Sequence, residues 1–476
     1  MAGTGESPYN AVPLAIASHC HLMNSLEIRS LIGLVSLYAT RMLGLFMVLP
    51  VMSLYGGDYT GSTTMLVGVA LGIYGLTQGL FQIPLGMLSD RLGRKTIIVG
   101  GMVVFLLGSL VAATAESIHG LIIGRALQGA GAVASTIMAL LSDLTTEQNR
   151  TKAMAAVGGS IGLSFALAMI VGPAIASSFG MNAIFWLTAA LAIAGILVVI
   201  YWIPTPVAMN RLSSREALAM PALFGRTLAN RELLRLDAGI FLLHMIQMAS
   251  WVSVPFVLSN VLAFELSRHW WLYLLTMGFG FVAMLPFMIV AERKRILKWV
   301  FVGAVAVLAV AELLMYTAGQ RFGVFVTGLF LFFMAFNLLE ACLPSLVSKA
   351  APSGTRGTAM GIYSSSQFLG AFVGGIAGGT LAQVVGAEAV FLFSAAMAIV
   401  WVLIAATMPR PRHWASVVIP LLDGEQVPNG ASIRDRVAGV EDVLLIPDQR
   451  LVYLRVDKGL FDQPALEKLL GRPLVA

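Results

Sequence analysis

The sequence predicts an all-α polytopic membrane protein, with twelve transmembrane helices in two pseudo-symmetric six-helix bundles and a small soluble α+β domain at the C-terminus. Three observations carry this. Only 11% of the 476 residues are charged and the mean hydropathy is +0.86, whereas soluble chains carry about a quarter charged residues. Uncharged apolar runs of about twenty residues, each long enough to cross a bilayer, recur along the chain. One long polar and basic stretch, 204–236, separates the sixth run from the seventh. Lipid cannot satisfy backbone N–H and C=O groups, so these runs must be helices.

The runs lie near 28–50, 65–85, 96–115, 120–142, 152–179 and 182–203, then 237–260, 270–291, 297–318, 322–348, 357–385 and 388–408. Residues 1–22 lack a basic stretch leading into an apolar one, so they do not read as a signal peptide. Met23 also fits as a start. The expected partition is an extension at 1–26, a first bundle at 27–203, a linker at 204–236, a second bundle at 237–409, a connector at 410–415 and a soluble domain at 416–476.

Cations set the orientation. Arg91, Arg94, Lys95, Arg150, Lys152, Arg211, Arg215, Arg226, Arg231, Arg235, Arg293, Lys294, Arg295, Lys298, Lys349 and Arg356 all fall on one side, against Arg268 and Arg321 on the other. By the positive-inside rule the crowded side is cytoplasmic, with both termini on it. Trp270, Trp271 and Tyr273 at one boundary, and Trp202 and Trp299 at the other, fit aromatic belts. The net charge of +6 is therefore a loop property facing the bilayer, and no nucleic-acid partner is expected. The two cysteines, Cys20 and Cys342, form no disulfide scaffold, and no spacing suits a metal. No catalytic constellation or cofactor loop is visible, so no enzyme, metal or cofactor is expected.

Between the second and third runs stands Gly86-Met-Leu-Ser-Asp90-Arg91-Leu-Gly93-Arg94-Lys95, read as a ten-residue charged hairpin. Its glycines allow close backbone approach. The halves also repeat: Asn149-Arg150-Thr151-Lys152-Ala153-Met154 opens the fifth run and Thr355-Arg356-Gly357-Thr358-Ala359-Met360 the eleventh, while Ala291-Glu292-Arg293-Lys294-Arg295 stands where a second copy of the hairpin belongs. Two such halves suit a transporter with its site near the midplane.

Charges inside spans are costly and functional by default. They are Arg41, Arg125, Glu312 and Glu340, with His244, Gln247, Gln128 and Asn337 as polar companions. Glu340 and His244 can change charge and so could carry a proton; Arg41 and Arg125 cannot, and read as counter-ions or substrate anchors. Two readings of Glu340 stay open, proton carrier or partner of a loop cation. Glu312 reads as structural.

The pattern G-x-L-x-D-R-x-G-R-K between the second and third spans is filled at every position, and in this the chain resembles the major facilitator superfamily. Arg125, Gln128, Gly129 and Gly131 resemble that family's second motif, tied to proton-coupled members. Gly159 through Gly172-Pro173 partly resembles the antiporter motif, a helix-packing element, with Ala168, Ala176 and Ser177 where glycines are expected. The resemblance implies that spans 1, 4, 7 and 10 line the cavity. It also implies a conformational latch, in which Asp90 meets the start of the eleventh span and Arg94 bridges Asp90 to Asp143. Arg91 and Lys95 could instead meet anionic headgroups.

After Pro409-Arg410-Pro411-Arg412 the composition becomes soluble. A strand near 416–421, a helix near 432–438, strands at 441–446 and 451–456, a helix at 463–470 and a last strand at 473–476 give βαββαβ, the ferredoxin-like order. No cysteine follows Cys342 and no histidine follows His413, which argues against a metal carrier. The segments 41–50, 72–95, 138–154, 335–349 and 357–375, together with this tail, resemble the YajR-type group in the drug:proton antiporter branch. That implies a proton-coupled exporter of a small compound, lipophilic ones among the candidates, in a bacterial inner membrane, with a cytoplasmic tail that takes a ligand or partner. A facilitator or symporter of a small metabolite, or a membrane sensor signalling through the tail, are the alternatives.

Overall fold

The computed structural model describes residues 23–145, 147–205, 225, 227–294, 296–351, 356–408, 414–420, 430–446, 451–457 and 460–470. The extension at 1–22, most of the linker and the expected last strand at 473–476 lie outside the described residues. Twelve helices among the described residues are long and apolar enough to cross a membrane. They are span 1 Ser25–Asp58, span 2 Thr64–Leu92, span 3 Arg94–Ala113, span 4 Ile118–Asp143, span 5 Lys152–Phe179, span 6 Met181–Trp202, span 7 Arg231–Val261, span 8 Leu266–Ala291, span 9 Leu297–Thr317, span 10 Phe322–Ala350, span 11 Gly357–Val384 and span 12 Ala389–Ala406.

Three local features depart from the hydropathy reading. First, the charged hairpin between spans 2 and 3 is almost wholly helical. Span 2 continues to Leu92, Gly93 alone makes the turn at φ +94°, and span 3 begins at Arg94. A positive φ there is open to glycine at little cost. Polar residues hid this helix from a hydropathy reading, because their side chains are satisfied at the bundle's edge. Second, span 7 starts at Arg231, where the Asn230 side chain accepts from the Glu232 and Leu233 amides, six residues before the apolar run becomes continuous. Third, spans 1 and 4 are broken helices. Span 1 is interrupted after Phe46 and resumes at Leu49, with Pro50 in its first turn. Span 4 breaks between Ala130 and Ala134.

We call the end of the bundle bearing Gly93 the basic face, and the opposite end the far face. The two halves meet mainly through spans 2 and 11, which run antiparallel. Their spacing can be read from the glycines. A Cβ on Gly68 would lie 2.1 Å from the Gly375 carbonyl oxygen, one on Gly72 2.8 Å from that of Phe372, and one on Gly75 2.5 Å from that of Phe368. Towards the basic face the gap widens: Gly79 would reach the Ser365 oxygen at 3.4 Å, and Gly361 would reach Ile83 at 3.9 Å. The backbones touch at the far face and diverge towards the basic face. The Met65 amide also donates to Gln383 Oε1 at 3.0 Å at the far end. Nearer the basic face the helices are bridged by longer side chains, with Gln82 Nε2 donating to Ser365 Oγ at 3.1 Å.

The described C-terminal residues form a small α+β unit: strand β1 Trp414–Pro420, helix Gly430–Arg436, strand β2 Val440–Ile446, strand β3 Leu451–Asp457 and helix Gln463–Leu470. The sheet order is β1-β3-β2, with both pairings antiparallel. Ile419, Ile433, Val452, Leu454, Val456 and Leu466 are its core.

Gly68→Val tests the far-face contact, because a branched side chain has no room against the Gly375 carbonyl. Cysteines at Met65 and Gln383 should cross-link readily with a short reagent in the parent, and much less in Gly68→Val. Equal cross-linking in the two would show that Gly68 does not set the spacing of the helices there.

Candidate transport site and conformational cluster

Among the described residues, the charged side chains well inside the spans segregate by half. The first bundle holds Arg41 and Arg125; the second holds Asp237, Glu312 and Glu340.

In the second bundle, His244 of span 7, Glu340 of span 10 and Gln367 of span 11 come together. Gln367 Nε2 lies 2.8 Å from His244 Nε2 and donates to Glu340 Oε1 at 3.3 Å. Glu340 Oε2 is 3.9 Å from His244 Nε2. The close nitrogen–nitrogen approach shows that the amide can equally present its oxygen to an imidazole N–H. Each of the three residues stands some ten to thirteen residues from the basic end of its helix. At 1.5 Å per residue that is about 15–20 Å deep, near the bilayer midplane. Phe336 packs its ring edge against His244 at 5.8 Å. Asn337 is adjacent, and its buried Nδ2 has no partner among the described residues. Gln247 is buried one turn beyond His244. Glu340 keeps 37% of its side-chain surface accessible against 13% for His244, while its Oε2 atom is buried with no hydrogen-bond partner among the described residues. Sequence reasoning missed Gln367; the available signal was a lone amide inside the apolar run of span 11, where a polar side chain needs a partner.

Glu312 sits apart, fully buried between spans 7, 9 and 12. Ser250 Oγ donates to its Oε1 at 2.7 Å, and Ser394 Oγ lies 3.4 Å from Ser250.

In the first bundle both arginines flank Tyr74. Arg41 Nη2 donates to Tyr74 Oη at 2.9 Å and to Gln78 Oε1. Arg125 Nε donates to the Ala70 carbonyl at 3.3 Å and Nη1 to Gln128 Oε1 at 3.0 Å. Gln128 Nε2 in turn donates to Ser109 Oγ at 2.9 Å. The Arg125 guanidinium lies 5.2 Å from the Tyr74 ring centroid.

At the basic face Asp90, Arg94 and Asp143 form one cluster. Arg94 Nη1 lies 2.5 Å from Asp90 Oδ1 and Nε 3.2 Å from Asp143 Oδ2. Nη1 also donates to Ser89 Oγ at 2.7 Å. Lys95 Nζ donates to the Ile203 carbonyl at 2.8 Å, capping the end of span 6, while Arg91 is exposed. The cluster ties together the ends of spans 2, 3 and 4 within one half. Residues 352–355, before span 11, lie outside the described residues.

Gly86 packs against span 4, with an added Cβ 3.1 Å from Ser135 Oγ. The antiporter-like glycines divide. Gly172 meets the Met47 carbonyl of span 1 at 2.4 Å, next to buried Pro173, whereas Gly159 has nothing within 4 Å of an added Cβ. Gly172 therefore packs within its own half. Gly159 is exposed and makes no close helix contact among the described residues. The close approach between halves belongs instead to Gly68, Gly72, Gly75, Gly375 and Gly379.

Two repeated bundles, a mid-depth polar cluster and a charged cluster at one face define a membrane transporter of the facilitator type. The family model described as Major Facilitator Superfamily matches residues 34–375 and 294–444, and the chain belongs to that family. Its relatives include the inner membrane transport protein YajR of Escherichia coli strain K12, 44% identical over 93% of this chain and 97% of that protein. The class B tetracycline resistance protein of E. coli is 30% identical over 34% of this chain and 40% of its own. In fold the chain is similar to the human organic anion transporter MFSD10, with a TM-score of 0.59 at 20% identity, over 80% of this chain and 100% of that one.

Asp90→Asn and Asp143→Asn share one guanidinium and should not act independently. Thermal unfolding of the two single variants and the double variant should give a coupling of about 0.5–1 kcal/mol, as expected for residues in one network. Strict additivity would mean that Arg94 does not bridge them.

Proposed function

We propose that this protein is a proton-coupled secondary transporter that exports a small compound across a bacterial inner membrane by alternating access. The observation that carries this is the His244–Gln367–Glu340 cluster. In it a group that can gain or lose a proton stands at mid-depth against three helices of one half, with one carboxylate oxygen, Glu340 Oε2, buried and without a hydrogen-bond partner among the described residues. Glu340 is the proton carrier. Gln367 and His244 orient it and accept hydrogen bonds in turn as its charge changes. Asn337 and Gln247 line the same region.

The widening of the span 2–span 11 contact towards the basic face supports a conformer open on that side and closed at the far face. The cation bias makes the basic face cytoplasmic, with both termini on it. In this reading the Asp90–Arg94–Asp143 cluster is the latch. It holds the ends of spans 2, 3 and 4 as a rigid unit that can dock on the start of span 11 when the basic face closes. Arg91 faces the headgroup region. Export as the direction is supported by similarity over part of the chain to the MFS-type efflux pump MMF1 of Pseudozyma antarctica. The C-terminal unit is read as a ferredoxin-like cytoplasmic domain that takes a ligand or partner.

The test uses proteoliposomes with an imposed pH gradient and a panel of small lipophilic compounds. Glu340→Gln should abolish gradient-driven flux, while leaving gradient-independent exchange of the same compound at a rate within a few-fold of the parent. Gradient-driven flux that survives Glu340→Gln would remove Glu340 as carrier. Flux that never responds to the gradient in the parent would favour a facilitator. Asp90→Asn should lower flux several-fold with normal amounts of protein in the membrane; unchanged flux would show that the cluster does not govern the conformational change.

A further inference from the structure

The buried charge of the first bundle is unbalanced. Arg41 is 1% exposed and Arg125 is fully buried, yet neither pairs with a carboxylate among the described residues. The acidic side chains of residues 23–205 are Glu27, Asp58, Asp90, Glu116, Asp143 and Glu147, and each lies at a span end or in a loop. A buried carboxylate can shed its charge by taking a proton, but a guanidinium cannot. Burying an ion without a counter-charge is among the largest penalties a protein interior can carry. The contacts with Tyr74 and Phe105, at 5.2–6.0 Å from guanidinium to ring centroid, offset part of it.

The unsatisfied atoms around Tyr74 are of one kind. Arg41 Nε and Nη1, Gln78 Nε2 and Arg125 Nη2 are all buried with no hydrogen-bond partner. All four are donors. Arg41 and Gln78 touch directly, Gln78 Oε1 accepting from Arg41 Nη2, so three of the four vacant donors belong to one contacting pair. Arg125 adds positive charge 5.2 Å from the centroid of the same Tyr74 ring. Gln78 is fully buried as well. Buried donors of one kind, two of their side chains in contact, suit a ligand that only accepts and that carries negative charge.

We propose that the first bundle holds a small inorganic anion of chloride size beside the contacting pair Arg41 and Gln78, on their unpartnered donors and within the field of Arg125. Depth and burial set the size class: a bulky organic anion has no path to side chains that are 0–1% exposed, whereas a monatomic ion can enter as the helices breathe. The site lies in the opposite half from Glu340 and is separate from the proposed proton carrier. It neutralises the fixed charge of the first bundle and makes that half's stability dependent on halide.

The experiment is thermal unfolding of the purified full-length chain at constant sodium, with chloride, bromide or gluconate as the anion. Chloride and bromide should raise the midpoint saturably by several degrees over gluconate, as a ligand bound only by the folded state does. Gln78→Leu, which keeps the volume but removes the amide donor, should weaken the halide dependence at least several-fold. Arg41→Gln should abolish it; if that variant does not fold, Gln78→Leu carries the test. Glu340→Gln should retain the full halide response, which separates this site from the proton carrier. Identical midpoints in chloride and gluconate would overturn the proposal. So would a halide response unchanged in Gln78→Leu, or stabilisation by a transported compound with none by halide.

Discussion

The contact between spans 2 and 11 is the constraint on which the rest of the structure depends. Lipid provides no hydrophobic drive for helices to associate, so close packing must come from small residues and backbone contact. Gly68, Gly72, Gly75, Gly375 and Gly379 supply it, and they cluster in the far-face portion of the two helices. An added methyl at any of them would lie under 3 Å from neighbouring backbone. The same helices separate towards the basic face, where Gln82 and Ser365 bridge them by side chains. A contact that is tight at one end and loose at the other is the geometry that the proposed alternating access would use as a pivot, each half moving as a body.

Each half is rigid for its own reasons. In the first, Arg94 gathers the ends of spans 2, 3 and 4, and Tyr74 binds the two arginines to spans 1, 2 and 4. In the second, Glu312 is held by Ser250 between spans 9 and 7, and Gly370 and Gly374 seat span 11 on the carbonyls of Phe241 and Met245 in span 7. The segregation of charge follows a functional logic. The first bundle carries permanent cations, and the second carries carboxylates that can be neutralised. In the proposed proton-coupled cycle, a protonation event would change the electrostatics of the second half alone and so bias one body against the other.

Much of the membrane architecture was legible in the sequence, because length and apolarity alone identify a spanning helix. All twelve spans could be read that way. What hydropathy could not see were helical stretches made of polar residues: Gly86–Leu92 continues span 2, and Arg231–Leu236 opens span 7 behind its Asn230 cap. The family resemblance implied the grouping of Asp90, Arg94 and Asp143, and the geometry sets them within 2.5–3.2 Å contacts. The sequence singled out His244 and Glu340, but not Gln367, because nothing in a linear chain says which amide of span 11 faces spans 7 and 10. Packing glycines were the weakest reading. Gly159 has open space around it and Gly172 serves its own half, since a motif in sequence does not reveal which surface a helix turns to its neighbour.

The central claim is that two rigid halves pivot, so that the faces open in opposition. Paired spin labels on exposed positions test it most directly, one pair joining the halves at the far face and a second joining them at the basic face, with distance distributions recorded at acidic and neutral pH. The account predicts that the far-face pair is short when the basic-face pair is long, and that any shift in proton occupancy moves the two in opposite directions. Distances that lengthen or shorten together at both faces, or that do not differ between the faces, would contradict it.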